Sequence, residues 1–247
     1  MMRLDKYLCE TSFGTRSQVK ALLKKGLVSV NGEQEKRPER KVDERSDTIF
    51  CGGKTAVYSE FTYLMLYKPA GVLTARSDRR ERTVFDLIPA DLRRNLSPVG
   101  RLDKDTEGLL LLTDDGALAH HLLSPRHHVD KRYFARVQGA LREADITSFQ
   151  EGLDIGDEHK TLPAKLEIQK SGIESEALVT LHEGRYHQVK RMFQAVGCEV
   201  IYLKRLSMGS LALDESLAPG EWRRLREEEI ALLKKEEGAR DGAGDAN

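Results

Sequence analysis

A run of four leucines at residues 109–112 constrains this chain more than any other feature. An unbroken apolar run of this kind is typical of a β-strand that is buried on both faces. A loop with proline and glycine, residues 98–108, precedes it, and the turn signal Asp-Asp-Gly follows it. Asp103 therefore lies where a polar loop meets a core strand, which holds a carboxylate in place. The residue type alone favours an ordinary turn-capping aspartate, because Asp is a common turn residue.

Charge is distributed unevenly, although Lys and Arg balance Asp and Glu at 40 each. Residues 1–41 carry ten basic and five acidic side chains, whereas residues 141–180 carry four basic and nine acidic ones. A basic N-terminal segment on a neutral chain indicates a local anionic partner. With 39% hydrophobic residues over 247 positions, the chain can form one large domain or two.

The three cysteines, at positions 9, 51 and 198, are widely separated and odd in number. Their spacing argues against a disulfide framework and a C-x-x-C zinc site, and it favours a reducing compartment. No apolar run is long enough to span a membrane, and charged residues at positions 3, 5 and 6 interrupt any signal-peptide pattern. We therefore expect a cytoplasmic protein.

The N-terminal segment has the pattern of two helices and a strand. The apolar spacing predicts a first helix over 3–11 and a second that begins with a capping box at Thr15 and ends at Gly26. Residues 27–30 and the Asn-Gly pair after them predict a strand closed by a hairpin turn. Basic residues recur every four positions on the second helix: Arg16, Lys20 and Lys24. They form either a cationic ridge for a ligand or a solvated helix face.

Residues 2–50 resemble the small RNA-binding domain first recognised in ribosomal protein S-four. The likeness is carried by residues 3–8, by Ser17 within the two-helix body, and by residues 26–32. It implies that a set of polar side chains contacts RNA phosphates, which positions RNA but reads little of its sequence. This set comprises Arg3, Arg16, Ser17, Lys20 and Lys24.

Residues 33–61 are interpreted as the end of this small domain and a linker, with short strand fragments at 49–50 and 57–58. From position 61, strand-like and helix-like segments alternate. Strands are predicted at 61–67, 109–112 and 133–137 and twice within 161–181, and helices at 117–123, 141–152 and 189–196. On the last helix, Lys190 and Arg191 fall off the apolar face near the positive N-terminus, so they need an anionic partner from elsewhere.

The second part of the chain resembles the pseudouridine synthases of the RsuA type. Three motifs carry the resemblance, in the family's order: Tyr-Lys-Pro-Ala-Gly at 67–71, Gly-Arg-Leu-Asp-Lys-Asp-Thr-Glu-Gly-Leu-Leu at 100–110, and Glu-Gly-Arg-Tyr-His-Gln-Val-Lys-Arg-Met at 183–192. With the N-terminal part included, the likeness covers about residues 2–235. It implies an α+β protein: an S-four-like domain with linker over 1–60, and a catalytic domain with a mixed, mainly antiparallel sheet over 61–235. The tail, 236–247, is rich in Gly, Asp and Ala and is expected to be disordered.

The resemblance implies that Asp103 is the catalytic aspartate. The reaction breaks the bond from ribose to N1 of uracil, rotates the base and rejoins it through C5, so it needs neither metal nor cofactor. A glycoside hydrolase normally uses two carboxylates, but an isomerase that retains its leaving group can use one. Asp103 must be ionised, and it acts either as nucleophile or as base on the ribose.

Two further residues complete the implied catalytic set. Lys190 corresponds to a position where many pseudouridine synthases carry Arg, and a cation there would favour the ionised Asp103. Lys is a point charge rather than a bidentate fork, so the pair is held less rigidly. Tyr133 matches the active-site tyrosine, expected to stack on the base and assist proton removal from C5. The alternative is a strand aromatic that faces the core.

RNA capture is assigned to arginines, because a flipped base needs stacking and phosphate contacts to offset the cost of extrusion. The candidates are Arg101, Arg185 and Arg191. Arginines within 76–82 either follow the RNA backbone or belong to a solvated loop. The histidine pairs at 120–121 and 127–128 lack any other ligand motif, so we expect no metal.

The third motif, Arg-Tyr-His-Gln-Val-Lys-Arg-Met, looks like that of the enzyme acting on 16S rRNA. Large-subunit relatives more often have Asn-Arg before Gln and Arg in place of Lys190. The resemblance therefore implies an enzyme that acts on rRNA of the assembling small subunit, at uridine 516 in conventional 16S numbering. We expect the protein to be a monomer. A 23S rRNA enzyme of the same family and a non-catalytic RNA-binding assembly factor are the alternatives.

Overall fold

The computed structural model of the protein describes residues 1–11, 13–56, 58 and 60–241. The chain divides into two compact units, Met1–Glu60 and Phe61–Asn247. Together they contain helices and a mixed, mainly antiparallel sheet, so the α+β class is confirmed. Across the described part of the chain, no helix is long and apolar enough to cross a membrane.

The first unit packs two short helices on small antiparallel strands. Its elements are β1 Met2–Arg3, α1 Leu4–Glu10, α2 Arg16–Lys24, β2 Val28–Val30, β3 Glu33–Gln34, β4 Lys41–Val42, β5 Ile49–Cys51 and β6 Lys54–Ala56. The predicted capping box is present: Thr15 accepts from the amide of Gln18, whose side chain accepts from the amide of Thr15. Asn31 and Gly32 both have positive φ, at 53° and 85°, as a two-residue hairpin turn requires.

Residues 33–61 were predicted to be the end of the small domain and a linker; the strand fragment predicted at 49–50 is found as β5, but little of the segment is linker. Strand β5 pairs with β2 and β6, and β4 pairs with β1, so most of the segment belongs to the small unit. Ile49 and Cys51 are buried in its core, which explains the pairing. Of the fragment predicted at 57–58, position 57 lies outside the described residues, and the Tyr58 ring packs at 5.6 Å from that of Tyr7.

The second unit is built on a nine-stranded sheet. Its elements are β7 Tyr63–Lys68, β8 Ser97–Pro98, β9 Glu107–Thr113, α3 Gly116–Leu123, β10 Lys131–Gln138, α4 Glu143–Glu151, β11 Lys165–Lys170, β12 Glu174–Leu181, α5 Gln188–Ala195, β13 Glu199–Met208, β14 Leu211–Ala212, β15 Trp222–Arg224 and α6 Glu227–Asp241. The main strand order is β11-β12-β10-β13-β9-β7-β15, with β8 beside β9 and β14 beside β13. All pairs are antiparallel except β9 with β13. Helix α6 occupies positions 236–241, where a disordered tail was expected, and 242–247 lie outside the described residues.

The leucine run is buried on both faces of this sheet, as predicted. Leu110 and Leu112 belong to one apolar cluster and Leu109 and Leu111 to the other. The first cluster includes the apolar face of α5 and the inward side of β10. Strand β9 is therefore a fixed base for the loop that precedes it.

Candidate active site

The loop that carries Asp103 is fixed from within by Lys68, the last residue of β7. The ammonium group of Lys68 donates to the carbonyls of Pro69, Lys104 and Thr106 at 2.9, 3.2 and 2.8 Å. Its side chain is fully buried. Burial lowers the pKa of Lys68 to about 8, against the attraction of nearby carboxylates. A buried lysine with these carbonyl acceptors fixes the backbone that directly follows the aspartate, residues 104–106.

A threonine holds the other side of the same loop. The hydroxyl of Thr74 donates to the carbonyl of Leu102 at 2.7 Å and accepts from the amide of Leu102 at 3.2 Å. The amide of Thr106 closes a turn by donating to the carbonyl of Asp103 at 3.1 Å. Asp103 is thus held at both neighbouring residues while its carboxylate stays partly exposed.

Asp103 and Lys190 meet, although 87 positions separate them in the sequence. The ammonium of Lys190 lies 3.2 Å from Oδ2 of Asp103 and 2.6 Å from Oδ1 of Asp105. Nε2 of His187 lies 3.5 Å from Oδ1 of Asp103. Burial works to lower the pKa of Lys190, but the two carboxylates raise it overall, so the lysine is a stable cation beside Asp103. The anionic partner that the sequence required for Lys190 is this pair of aspartates.

The start of α5 is shaped to present these groups. His187 adopts a left-handed conformation with φ of 49° just before the helix, and its ring stacks on that of Tyr186 with centroids 3.8 Å apart. Gln188 is buried and donates to Glu183 at 2.9 Å, while its side-chain oxygen accepts from the amide of Arg185. These bonds fix the turn from which His187 and Lys190 project.

Tyr133 projects from β10 towards the same cavity. Its side chain is only 8% exposed, and it belongs to the apolar cluster beneath the site. The ring therefore packs on the core and also borders the cavity, and its predicted role at the base stays a prediction. The cavity has a volume of about 1190 Å³ and is lined by Asp103, Tyr133 and Lys190 among other residues. The predicted trio converges on one cleft.

The predicted RNA-contact residues differ in their surroundings. Arg101 is exposed and borders the cavity. Arg185 donates to Glu183 and to the carbonyls of His159 and Lys160. Arg191 binds Asp157 and the carbonyl of Ile155. These contacts inside the protein give both guanidinium groups a structural role, and their predicted binding to RNA stays a prediction.

In the first unit, the four predicted residues of α2 are exposed: Arg16, Ser17, Lys20 and Lys24. Arg3 is also exposed but forms a two-point pair with Asp5 at 2.9 and 3.0 Å. The cationic ridge is therefore open to solvent along one helix.

Several residues at the site were not singled out from the sequence. Asp105, His187, Lys131 and Arg205 all border or contact the cavity groups. Lys68 lay inside a quoted motif but received no role. The sequence pattern that could have revealed it is a lysine at the end of an apolar strand, because a lysine is buried there only when its ammonium group has partners. Gly108 is a further constraint: a Cβ there would lie 2.2 Å from the backbone oxygen of Arg205, so only glycine fits between β9 and β13.

The histidine pairs do not assemble a metal site. Among the residues that the structure describes, no group of three His, Cys, Asp or Glu side chains is placed to hold an ion. The rings of His121 and His127 pack on each other at 4.3 Å.

Comparison with known proteins assigns both units. Residues 62–195 match the RNA pseudouridylate synthase family, and residues 2–49 match the S4 domain. An uncharacterized RNA pseudouridine synthase of Bacillus subtilis, YtzG, is 48% identical over 95% of this chain and 99% of its own length. Ribosomal small subunit pseudouridine synthase A of Vibrio cholerae is 40% identical over 95% of this chain and 100% of its own.

A solved structure agrees with this assignment. A pseudouridylate synthase crystal structure superposes with a TM-score of 0.67 at 38% identity, covering 94% of this chain and 100% of that one. Together with the carboxylate-centred cleft, these matches show that the chain belongs to the RNA pseudouridine synthase family, as an isomerase that carries an S4 domain.

Proposed function

We propose that this enzyme converts one uridine of small-subunit rRNA to pseudouridine, namely uridine 516 in conventional 16S numbering. The observation that carries the proposal is the Asp103–Lys190 pair in a cleft bordered by Tyr133. The names of several relatives at about 40% identity over the full chain favour the small subunit as substrate. We further propose that the enzyme acts as a monomer, in the cytoplasm, without a cofactor.

Asp103 starts the reaction in this proposal. The ammonium of Lys190 lies 3.2 Å from its carboxylate, and the hydrogen bond from Lys68 to the carbonyl of Lys104 limits its freedom to move away from the ribose. The carboxylate then attacks C1′ of the target nucleotide or removes a proton from C2′. Because the uracil ring stays in the cavity, it can rotate and rejoin through C5, and the same carboxylate is released. Tyr133 stacks on the ring and assists loss of the C5 proton.

The first unit supplies affinity. Arg16, Lys20 and Lys24 lie on one exposed edge of α2, and Ser17 and Arg3 are exposed as well. Contacts from these side chains to phosphates would release counterions and make binding depend on salt. Such contacts place the RNA without reading its bases. At the second unit, Arg101 is the exposed guanidinium best placed to take a phosphate beside the extruded nucleotide.

The test is a chemical map of pseudouridine. Wild-type protein and Asp103→Asn are incubated with partly assembled 30S particles, with free 16S rRNA and with 23S rRNA. We expect product at uridine 516 of the small-subunit substrates with wild-type protein, and none with the variant. Product only on 23S rRNA would favour the large-subunit alternative. Binding without product on any rRNA would favour the assembly-factor alternative, and full activity of the variant would refute the role of Asp103.

A further inference from the structure

Two buried cations border the cavity without a carboxylate partner. Lys131 and Arg205 are 3% and 2% exposed. Nζ of Lys131 donates to the carbonyl of Val129 at 3.0 Å, and Nε of Arg205 donates to that of Leu109 at 2.8 Å. The buried Nη2 of Arg205 has no hydrogen-bond partner among the described residues, and within the same residues neither cation forms an ion pair. Hydrogen-bonding capacity is therefore left over at this place.

The two cations flank Tyr133 on one face of the sheet. Arg205 of β13 is the direct cross-strand partner of Tyr133, and Lys131 precedes Tyr133 by two residues on β10. Burial alternates along β10, so Lys131 and Tyr133 point to the same side and Arg132 to the other. All three inward residues line the cavity that holds Asp103.

Keeping two such cations in a folded chain is costly. A buried charge without a partner loses its hydration, and the loss is offset only by an ion pair or strong acceptors. Burial, with repulsion from Arg205, lowers the pKa of Lys131 to about 8, while Asp130 acts weakly in the opposite direction. A ligand that brings negative charge into the cavity would remove this penalty. The site is thus prepared for a charge that the free protein lacks.

The position of the cations favours the base over the phosphates as the source of that charge. An extruded nucleotide enters a pocket with its base first, while its phosphates continue to the neighbouring nucleotides outside. Lys131 and Arg205 are nearly inaccessible, in contrast to Arg101, which is exposed at the same cavity. A phosphate is therefore expected near Arg101 and the uracil ring near the buried pair.

We propose that Lys131 and Arg205 bind the carbonyl oxygens of the uracil ring and stabilise the negative charge it carries while it is detached from the ribose. This inference rests on the proposed function. When the N1–C1′ bond breaks, its electron pair stays with N1, and the charge is shared with O2 and O4. When C5 then bonds to C1′, the ring becomes neutral, C5 loses its proton, and N1 gains one. The ring carries this charge only after the N1–C1′ bond breaks and before the C5–C1′ bond forms. Hydrogen-bond donors placed at its carbonyl oxygens therefore stabilise the transition states of these two steps.

The first test is Lys131→Met, measured as a single-turnover rate on uridine-containing RNA at pH 7. We expect the rate to fall on the order of 10²-fold, as for loss of one oxyanion donor, with RNA affinity unchanged within about twofold. The melting temperature should stay level or rise, because the change removes an unpaired buried charge. Arg132→Met is the matched control, since it removes the neighbouring cation from the opposite, exposed face and should leave the rate unchanged.

The second test changes the leaving group instead of the protein. Fluorine at C5 withdraws electrons and stabilises the ring anion by itself, so the loss caused by Lys131→Met in the rate of N1–C1′ cleavage should shrink at least about fivefold on 5-fluorouridine RNA. Arg205→Lys keeps the charge but loses Nη2, and it should show a smaller loss with the same dependence on the substrate.

Three results would overturn the inference: an unchanged rate in Lys131→Met, an equal loss on both substrates, or a loss that follows a fall in melting temperature. An active wild-type enzyme with any of these results refutes the assignment of the two cations alone. Absence of pseudouridine with the wild-type protein refutes the proposed function as well.

Discussion

Removing the ammonium group of Lys68 should separate the binding of RNA from the chemistry. In Lys68→Met the carbonyls of Pro69, Lys104 and Thr106 lose a donor at 2.9, 3.2 and 2.8 Å. A hydrogen bond from a charged donor contributes roughly 1.5–3 kcal/mol, and the regained hydration of the ammonium offsets part of the sum. We expect a loss on the order of 3 kcal/mol in the free energy of unfolding. This corresponds to roughly 6–12 °C in melting temperature for a chain of this size.

The catalytic loss follows from geometry. Lys104 directly follows Asp103, so releasing its carbonyl lets the carboxylate shift relative to the ribose. A displacement of about 1 Å costs on the order of 10²-fold in rate. Single-turnover rates and RNA affinity would be measured below the melting temperature of the variant, with Lys170→Met, an exposed lysine at the end of β11, as control. A wild-type rate together with wild-type stability in Lys68→Met would refute the role of Lys68 in holding the loop of Asp103.

Three other perturbations test separate parts of the molecule. The rate should fall above about pH 8, because Lys68 and Lys131 lose their protons there, and a flat rate would contradict this. Above this pH the unfolded chain binds more protons at these two lysines than the folded chain does, so their contribution to the free energy of unfolding should rise with pH. Tyr186 is 76% exposed, so Tyr186→Ala should weaken RNA binding about tenfold through lost base stacking while Tyr186→Phe does not; equal affinities would argue against stacking. Arg16→Ala with Lys20→Ala should reduce the salt slope of RNA binding by about 1.5 and spare the chemistry on bound substrate, and an unchanged slope would contradict phosphate contacts.

Local signals in the sequence were sufficient for much of the fold. The capping box at Thr15, the Asn-Gly turn and the doubly buried leucine run depend on neighbours within a few residues, and each was predicted and found. Less of residues 33–61 is linker than predicted, because β4 and β6, which are two and three residues long, were missed. Such strands leave almost no periodic pattern, and they form only because partners elsewhere in the chain pair with them.

The sequence by itself determined which residues could do the chemistry. It placed a carboxylate, Asp103, in the loop that leads into a core strand, and the resemblance to the family implied a reaction and two partners for it. The tertiary structure decided which charged side chains form ion pairs with each other. Lys190 lies between two aspartates, whereas Arg191, its neighbour, is bound to Asp157 inside the protein.

The sequence by itself also could not reveal the two buried cations. Lys131 and Arg205 lie far apart in the chain and are ordinary basic residues in the sequence, yet adjacent strands bring them to one face beside Tyr133. Burial and charge balance depend on everything within a few ångströms of a side chain, whereas a motif records only its neighbours along the backbone. Pairing between distant strands, which no local pattern encodes, therefore turned two unremarkable cations into part of the cleft.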